Sequence, residues 1–136
     1  MEEDIVKFNT IVKEFKRKNR TVISSYKLSP NEIDILVALH MGKYDVAKDI
    51  AENFEISKSL VCRSVDSLIK KGYIDTKKDE NDKRITHLIL RKEAKPIVES
   101  LKENRKKTAE ILLKDIDEKE LEIFKKVLDK MKNNIL

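Results

Sequence analysis

The chain has 136 residues, a length typical of a single domain. Charged residues make up 40% of it and apolar residues another 40%, which predicts a folded, soluble protein with a polar surface. Two glycines, two prolines, no tryptophan and 5% aromatic residues argue against β-sandwiches, barrels and glycine-rich nucleotide-binding folds. We therefore expect a mainly helical protein.

The net charge of +5 is concentrated in one part of the chain. Residues 58–92 hold ten basic and five acidic side chains, whereas the remaining residues hold twenty of each. A local basic excess is what binding to phosphates requires, and a solvated lysine-rich surface is the alternative interpretation.

The sequence favours a cytoplasmic protein. Residues 1–9 carry acidic residues where a secretion signal has basic ones, and no apolar stretch approaches the roughly 18 residues of a membrane helix. Cys62 is the single cysteine, so no intrachain disulfide can form.

Apolar residues at three- and four-residue spacing predict a first amphipathic helix from Asp4 to about Ser24. Its apolar face comprises Ile5, Phe8, Val12, Phe15 and Val22. A second helix begins after Ser29, a suitable N-cap, with Pro30 in its first position and Glu32 closing a capping box. We expect this helix to run to about residue 41.

Two short helices should follow, after Gly42 ends the second helix. Asp45 is a suitable N-cap for the first of the two, and Ser57 caps the next, which Gly72 ends. The buried positions are expected to be Val46, Ile50 and Phe54 in one, and Val61, Val65, Leu68 and Ile69 in the other. About three residues join these helices, a pattern typical of a helix-turn-helix, although helical bundles contain similar corners.

A change to alternating periodicity after Gly72 predicts a β-hairpin. Its strands are expected at residues 73–76 and 85–90, with a charged turn at 77–83 between them. A hairpin behind a helix-turn-helix is the winged-helix arrangement, so the fold class is mainly α with a small β-hairpin wing.

Two further helices are expected, one from about Lys92 with Pro96 in its first turn, and one that begins at Asp117 with Glu120 in a capping-box variant. A second copy of the chain would bury the apolar faces of the terminal helices, and packing on their own domain is the alternative. The sequence thus divides into an N-terminal dimerisation helix (1–27), a winged helix-turn-helix body (28–92) and C-terminal dimerisation helices (93–136). The dimerisation residues are predicted to be Ile5, Phe8, Val12, Phe15, Leu112, Leu121, Phe124, Leu128 and Met131.

The order of these motifs resembles the MarR family of winged-helix transcription regulators over about residues 28–95. The most specific features are a helix that ends in Leu-x-x-Lys-Gly and a wing that reads Asp79-Glu80-Asn81-Asp82-Lys83-Arg84, similar to the family's D-x-x-D-x-R. The chain departs from the family pattern in two places. Arg91-Lys92-Glu93-Ala94 follows the second wing strand where Leu-Thr-x-x-Gly is usual, and Cys62 replaces a serine or threonine.

The resemblance implies that the helix at about 57–71 enters the major groove of DNA and that the wing at about 75–86 enters the minor groove. Because successive helical residues are about 100° apart, Ser59, Arg63 and Ser67 should lie opposite the buried stripe, with Cys62 and Asp66 beside them. Arg63 is the candidate base reader, since its planar fork can bond guanine O6 and N7 together. The alternative is an Arg63 paired with Asp66 or Ser59.

The remaining predicted contacts involve phosphates and the wing. Phosphates are assigned to Ser57, Lys58 and Ser59 and to the wing lysines Lys77, Lys78 and Lys83. The resemblance also implies that Arg84 enters the minor groove, with Asp82 either orienting it or pairing with a helix near the wing. The alternative is a flexible wing tip without a fixed contact.

We find no glycine-rich phosphate loop, no nucleophile with an adjacent base and no carboxylate pair suited to acid–base chemistry, so an enzyme is not expected. Cys62 allows a redox-control hypothesis, because its oxidation on the DNA face would obstruct binding. His40 is interpreted as a helix-terminal packing residue, and its separation from His87 gives a zinc site little support.

The sequence and the resemblance together predict a homodimeric regulator, a repressor, of pseudo-palindromic double-stranded DNA sites. No cofactor is implied, and a small aromatic effector is compatible with the resemblance. The alternative is a winged helix that binds a partner protein and does not bind DNA specifically.

Overall fold

The computed structural model describes residues 1–20 and 25–136. Within these ranges the chain forms six α-helices and a two-stranded antiparallel sheet, which confirms the predicted mainly helical fold with a hairpin. The elements are α1 (Glu2–Asn19), α2 (Pro30–Met41), α3 (Ala47–Asn53), α4 (Lys58–Lys70), β1 (Ile74–Lys78), β2 (Thr86–Leu90), α5 (Lys95–Leu112) and α6 (Glu118–Ile135).

Local signals set the bounds of α2, as predicted. The backbone N–H of Glu32 donates to Ser29 Oγ at 3.2 Å, and Pro30 occupies the first turn. Gly42 ends the helix in the left-handed region, with a φ of 67°, which glycine adopts without the steric strain of a side chain.

The core lies where α2 packs against α4, with α3, the hairpin and the start of α5 around them. Among its members, Leu68 is fully buried on the inner face of α4, whereas Ile69, predicted to be buried beside it, is exposed. The largest side chains that are fully buried are Ile35, Leu36, Ile50, Val61, Leu68, Ile74 and Ile97.

The hairpin is confirmed, but its first strand extends farther than predicted. Ile74 pairs with Leu90 and Lys78 with Thr86, so the turn begins at Asp79. Lys77 and Lys78 fit this strand because their side chains are exposed, and a charged side chain on the solvent face of a hairpin loses little hydration.

The terminal helices differ from the body in burial. α1 ends at Asn19, and the predicted continuation through Val22 to Ser24 lies outside the described residues. A 3-10 turn (Lys92–Ala94) precedes α5, and Pro96 lies in the first turn of α5 as predicted. Neither α1 nor α6, both described in full, buries a single residue. In the described part of the chain, no helix is long and apolar enough to cross a membrane.

Candidate nucleic-acid interface

The burial of one face of α4 determines which side chains the other face presents. Ser57 caps the helix, since its Oγ accepts a hydrogen bond from the backbone N–H of Leu60 at 3.2 Å. Val61 and Leu68 point into the core, so the opposite side of the helix faces outwards. The exposed polar residues and the cysteine there and at the first turn are Ser57, Lys58, Ser59, Cys62, Arg63 and Asp66, and Leu60 is exposed as well.

Arg63 lies on this exposed face. Within residues 1–20 and 25–136 its guanidinium forms no hydrogen bond or ion pair, and the alternative pairing with Asp66 or Ser59 is not observed. Ser59 instead contacts Ser57, with 3.5 Å between the two hydroxyl oxygens. All five N–H donors of the Arg63 side chain therefore remain available to an external acceptor.

Ser67 does not belong to this exposed face, contrary to the sequence prediction. It is half-buried, and its hydroxyl donates to Glu32 Oε1 at 3.2 Å. The same carboxylate accepts a hydrogen bond from Lys71 Nζ at 2.8 Å, and Lys71 also donates to the backbone oxygen of Lys27 at 3.0 Å. Ser67 thus faces α2, where it helps to fix the angle of α4 against the core.

The capping box predicted for Glu32 is consequently wrong. The Glu32 residue is 6% exposed, and its carboxylate turns towards Lys71, because an ammonium group stabilises a buried carboxylate more than a single backbone N–H does. Ser67 and Lys71 lie 35 and 39 residues from Glu32, so no local sequence signal reveals these contacts.

In the wing, Asp82 holds the guanidinium of Arg84 through two hydrogen bonds and accepts a third from its backbone N–H. Arg84 Nε donates to Asp82 Oδ1 and its Nη2 to Oδ2, both at 3.1 Å. The hydrogen bonds from Arg84 lower the pKa of the Asp82 carboxyl. The Arg84 side chain is 91% exposed despite this pairing, so the guanidinium is oriented and still reachable from outside.

The three wing lysines have different surroundings. Lys78 Nζ donates to Thr86 Oγ1 at 2.9 Å across the hairpin. Lys77 and Lys83 are exposed and have no hydrogen bond or ion pair with any described residue. These two ammonium groups can therefore contribute long-range attraction to phosphates.

Sequence reasoning missed the role of His87 on β2. Its Nδ1 lies 2.9 Å from Asp45 Oδ2 and its Nε2 lies 2.7 Å from Asp79 Oδ1. The prediction that Asp45 is the N-cap of α3 is therefore wrong. Val46 occupies the cap position and makes no side-chain cap hydrogen bond. A histidine on a solvent-facing strand was the only hint in the sequence, because its partners are set by tertiary contacts.

His40 is exposed in the last turn of α2, so its predicted packing role is wrong. No group of three or more His, Cys, Asp or Glu side chains suited to a metal ion occurs among the described residues.

Comparisons with known proteins identify the family of this chain. A model described as the MarR family matches residues 26–85. The transcriptional regulator AdcR of Streptococcus pyogenes is 31% identical over 106 residues, which cover 76% of this chain and 71% of that protein. The chain belongs to the MarR family. It is thus a member of a family of transcriptional regulators and not of enzymes.

Two further similarities extend this assignment. An uncharacterised HTH-type transcriptional regulator of Bacillus subtilis, YdgJ, is 24% identical over 108 residues, covering 79% of this chain and 66% of its own length. A MarR-family regulator from Listeria monocytogenes, solved in complex with a 26mer DNA, superposes with a TM-score of 0.83 at 18% identity. The superposition covers 96% of this MarR-family chain and 87% of that one, and it confirms the winged-helix fold.

Proposed function

We propose that this chain is a transcriptional repressor that binds a pseudo-palindromic double-stranded DNA site as a homodimer. One α4 would occupy the major groove in each half-site, and each wing would reach the adjacent minor groove. The observation that carries this proposal is Arg63, an exposed arginine without a partner among the described residues, opposite the buried stripe of α4. The similar Listeria structure was solved with a 26mer DNA, which supports DNA as the partner.

The side chains of the proposed interface would recognise different features of the DNA. Arg63 would contact guanine with two parallel hydrogen bonds, a pairing that contributes about 1–3 kcal/mol of discrimination between bases. Arg84 would respond to the width and potential of the minor groove. Phosphate contacts, which position the protein without reading sequence, fall to Ser57, Lys58, Ser59, Lys77 and Lys83. The exposed Cys62 would lie at the edge of this contact.

Fluorescence anisotropy with the duplex from upstream of the gene, compared with a shuffled duplex over a range of salt concentrations, tests the proposal. We expect tight, salt-sensitive binding that prefers the upstream duplex, because phosphate binding releases counterions. A steep salt dependence without preference would indicate nonspecific DNA binding or an operator elsewhere. No binding at low salt would favour the alternative function, a winged helix that binds a partner protein.

Substitutions separate the two arginines. Arg63→Ala should relax base preference and largely retain nonspecific binding, whereas Arg17→Ala, an exposed arginine on α1, should change neither. Arg84→Ala should weaken binding most at sites with A·T-rich flanks. Equal losses on all flanks would show that the wing makes general phosphate contacts only.

The homodimer is proposed because the apolar faces of α1 and α6 lack cover. Phe124, Leu128 and Met131 on α6 are 46%, 36% and 57% exposed, and Phe8 on α1 is 44% exposed. An apolar surface of this kind commonly marks a protein interface. A second copy would supply matching helices and the two-fold symmetry that a pseudo-palindromic site requires.

We also propose that a small phenolic molecule acts as an effector in a cleft between the terminal helices and the body. The cleft has a volume of about 780 Å³. Asn19 and Arg105 are among its lining residues, and Asn19 Oδ1 and Arg105 Nε are buried without a hydrogen-bond partner among the described residues. A phenol hydroxyl would donate to the amide oxygen of Asn19 or accept from the guanidinium of Arg105 once that side chain turns into the cleft. Phenolic compounds that bind wild type but not Arg105→Leu, as measured by calorimetry, would support this site.

A further inference from the structure

One side chain, His87, connects the helix-turn-helix to the wing. Both of its ring nitrogens face carboxylates, Asp45 Oδ2 at 2.9 Å and Asp79 Oδ1 at 2.7 Å. Asp45 lies two residues before the start of α3, and Asp79 is the first residue after β1. The imidazole therefore spans the gap between two parts of the proposed DNA-binding surface.

The contacts continue from Asp79 to Arg84. Asp79 Oδ2 accepts hydrogen bonds from the backbone N–H groups of Asn81 and Asp82, both at 2.9 Å. The Asp82 carboxylate in turn holds the guanidinium of Arg84. Asp79 thus organises the loop that presents Arg84, and His87 fixes Asp79 to the body.

Backbone hydrogen bonds hold the loop and β2, but they do not connect the Asp79 carboxylate to the helix-turn-helix. The N–H of Asp79 donates to the carbonyl of Ile85, and the N–H of Ile85 donates to that of Asp82, both at 3.0 Å. Val46 pairs with His87, and the N–H of Leu88 donates to the carbonyl of Asp45 at 2.7 Å. These contacts attach β2 to the segment before α3, whatever the state of the imidazole. The His87 side chain adds the connection from that segment to Asp79.

The double contact depends on the charge of the ring. A carboxylate only accepts hydrogen bonds, so two carboxylates require two N–H donors, which imidazolium has and neutral imidazole does not. Asp79, and after it Asp45, raise the pKa of His87 above its ordinary value. The hydrogen bond from His87 correspondingly lowers the pKa of Asp79.

Other charged groups near His87 are engaged elsewhere or do not bond to the ring. Glu32 and Asp34 of α2, the helix that packs against β2, pair with Lys71 and Arg20. The remaining charged neighbours in sequence or register make no hydrogen bond or ion pair with the imidazole among the described residues: Lys48 and Asp49 in the first turn of α3, and Lys77 opposite His87 on β1.

We propose that His87 is a positioning residue for the wing, whose protonated form holds the Arg84 loop against the helix-turn-helix and makes DNA binding tighter at lower pH. The inference rests on the proposed DNA-binding function. The sign follows from the raised pKa: the double contact is complete below the ordinary histidine value and is lost as pH rises through the folded value. Above the folded pKa of His87 the loop is less ordered in the free protein, and the free energy needed to order it on DNA weakens binding.

The test is operator affinity from about pH 5.5 to about pH 8.5 for wild type, His87→Gln and His40→Gln. His40 is the only other histidine, and it is exposed and distant from the wing in sequence, so its variant is a matched control. We expect wild type and His40→Gln to lose about three- to tenfold in affinity across this range relative to His87→Gln. Referring each profile to His87→Gln removes the pH dependence that all DNA complexes share.

A second variant distinguishes a proton-dependent link from mere structural support. In Asp45→Asn the amide can donate to the unprotonated Nδ1, so the bridge no longer needs a charged ring. This variant should keep the low-pH affinity at high pH. The NMR titration of His87, assigned by comparison with His40→Gln, should show a pKa that falls in Asp79→Asn.

The outcomes separate the two proposals. Superimposable pH profiles for wild type, His87→Gln and Asp45→Asn, with DNA binding intact, would overturn the role of His87 alone. Failure of every form to bind any duplex would overturn the proposed function and this inference with it. A His87→Gln profile that is shallower than the His40→Gln profile by this three- to tenfold difference is the result that we expect.

Discussion

Helix α4 of the helix-turn-helix body and the terminal helices α1 and α6 have the same kind of amphipathic sequence but differ in what covers it. In the body, the apolar stripes of α2 and α4 meet each other, and residues such as Leu36 and Leu68 are fully buried. In α1 and α6, equally regular stripes remain accessible, and neither helix buries a residue. Periodicity therefore identifies the apolar face of a helix, whereas the surface that covers it depends on the rest of the chain or on a second chain.

The two regions also differ in how they use charge. The body contains the buried carboxylate of Glu32, which pairs with Lys71 at 2.8 Å and connects α2 to α4. Ion pairs on α1 and α6, such as Arg17 with Glu14 and Lys126 with Glu122, join residues three or four positions apart on the surface. We expect disruption of the first kind to lower stability and disruption of the second to have little effect.

The largest effect should come from the covered stripe. Leu68→Ala removes a side chain that is 0% exposed and should lower the free energy of unfolding by about 2–5 kcal/mol. Leu60→Ala on the same helix is the control, because Leu60 is 38% exposed. Urea unfolding at one fixed protein concentration measures both. Similar losses for the two variants would contradict the inner and outer faces assigned to α4.

The next effect concerns the uncovered stripe. Phe124→Glu should weaken self-association by about 2–4 kcal/mol, because a charge would replace an aromatic anchor of the interface. Asn133→Glu adds the same charge nine residues later, about 180° around the helix, and should leave association unchanged. Sedimentation equilibrium gives the dimer constants. A wild-type monomer, or equal weakening by both variants, would exclude this face as the dimer contact.

A smaller loss is expected where the body uses a buried charge. Glu32→Gln should lower the free energy of unfolding by about 1–3 kcal/mol, since Lys71 and Ser67 lose a charged acceptor. Glu14→Gln removes the exposed partner of Arg17 and should cause no measurable change. Thermal and urea unfolding provide the comparison. If both variants behave alike, the Glu32 contact does not stabilise the α2–α4 packing.

Sequence signals predicted the parts of the fold that neighbouring residues control. Ser29, Pro30 and Gly42 set both ends of α2, and Asp117 with Glu120 forms the expected capping box of α6. The necessary groups in these cases lie within a few residues of one another. The hairpin also followed from local alternation, although its first strand continues to Lys78 because exposed lysines are compatible with a solvent-facing strand.

Distant partners account for what the sequence could not predict. Asp45 lies one residue before the N-cap of α3, and its side chain contacts His87, 42 residues away. Glu32 similarly leaves its expected cap for Lys71. In the candidate interface, Arg63 lies on the expected outer face of α4, whereas Ser67 is drawn inwards by Glu32. The spacing of residues on a helix predicts the direction in which a side chain points. Only the tertiary structure shows whether another side chain lies there to bond it.

The smallest effect tests whether α6 depends on local contacts or on a partner. Asp117 Oδ1 accepts a hydrogen bond from the N–H of Glu120 at 2.8 Å, and the Glu120 carboxylate accepts one from the N–H of Asp117 at 3.0 Å. Asp117→Ala should destabilise α6 by about 1 kcal/mol, whereas Asp129→Ala in the helix interior should not. Hydrogen exchange of α6 amides should show this loss most clearly at low protein concentration. At high protein concentration a second copy that covers α6 would restore protection of its amides. A loss of protection that does not depend on protein concentration would mean that no second copy covers α6.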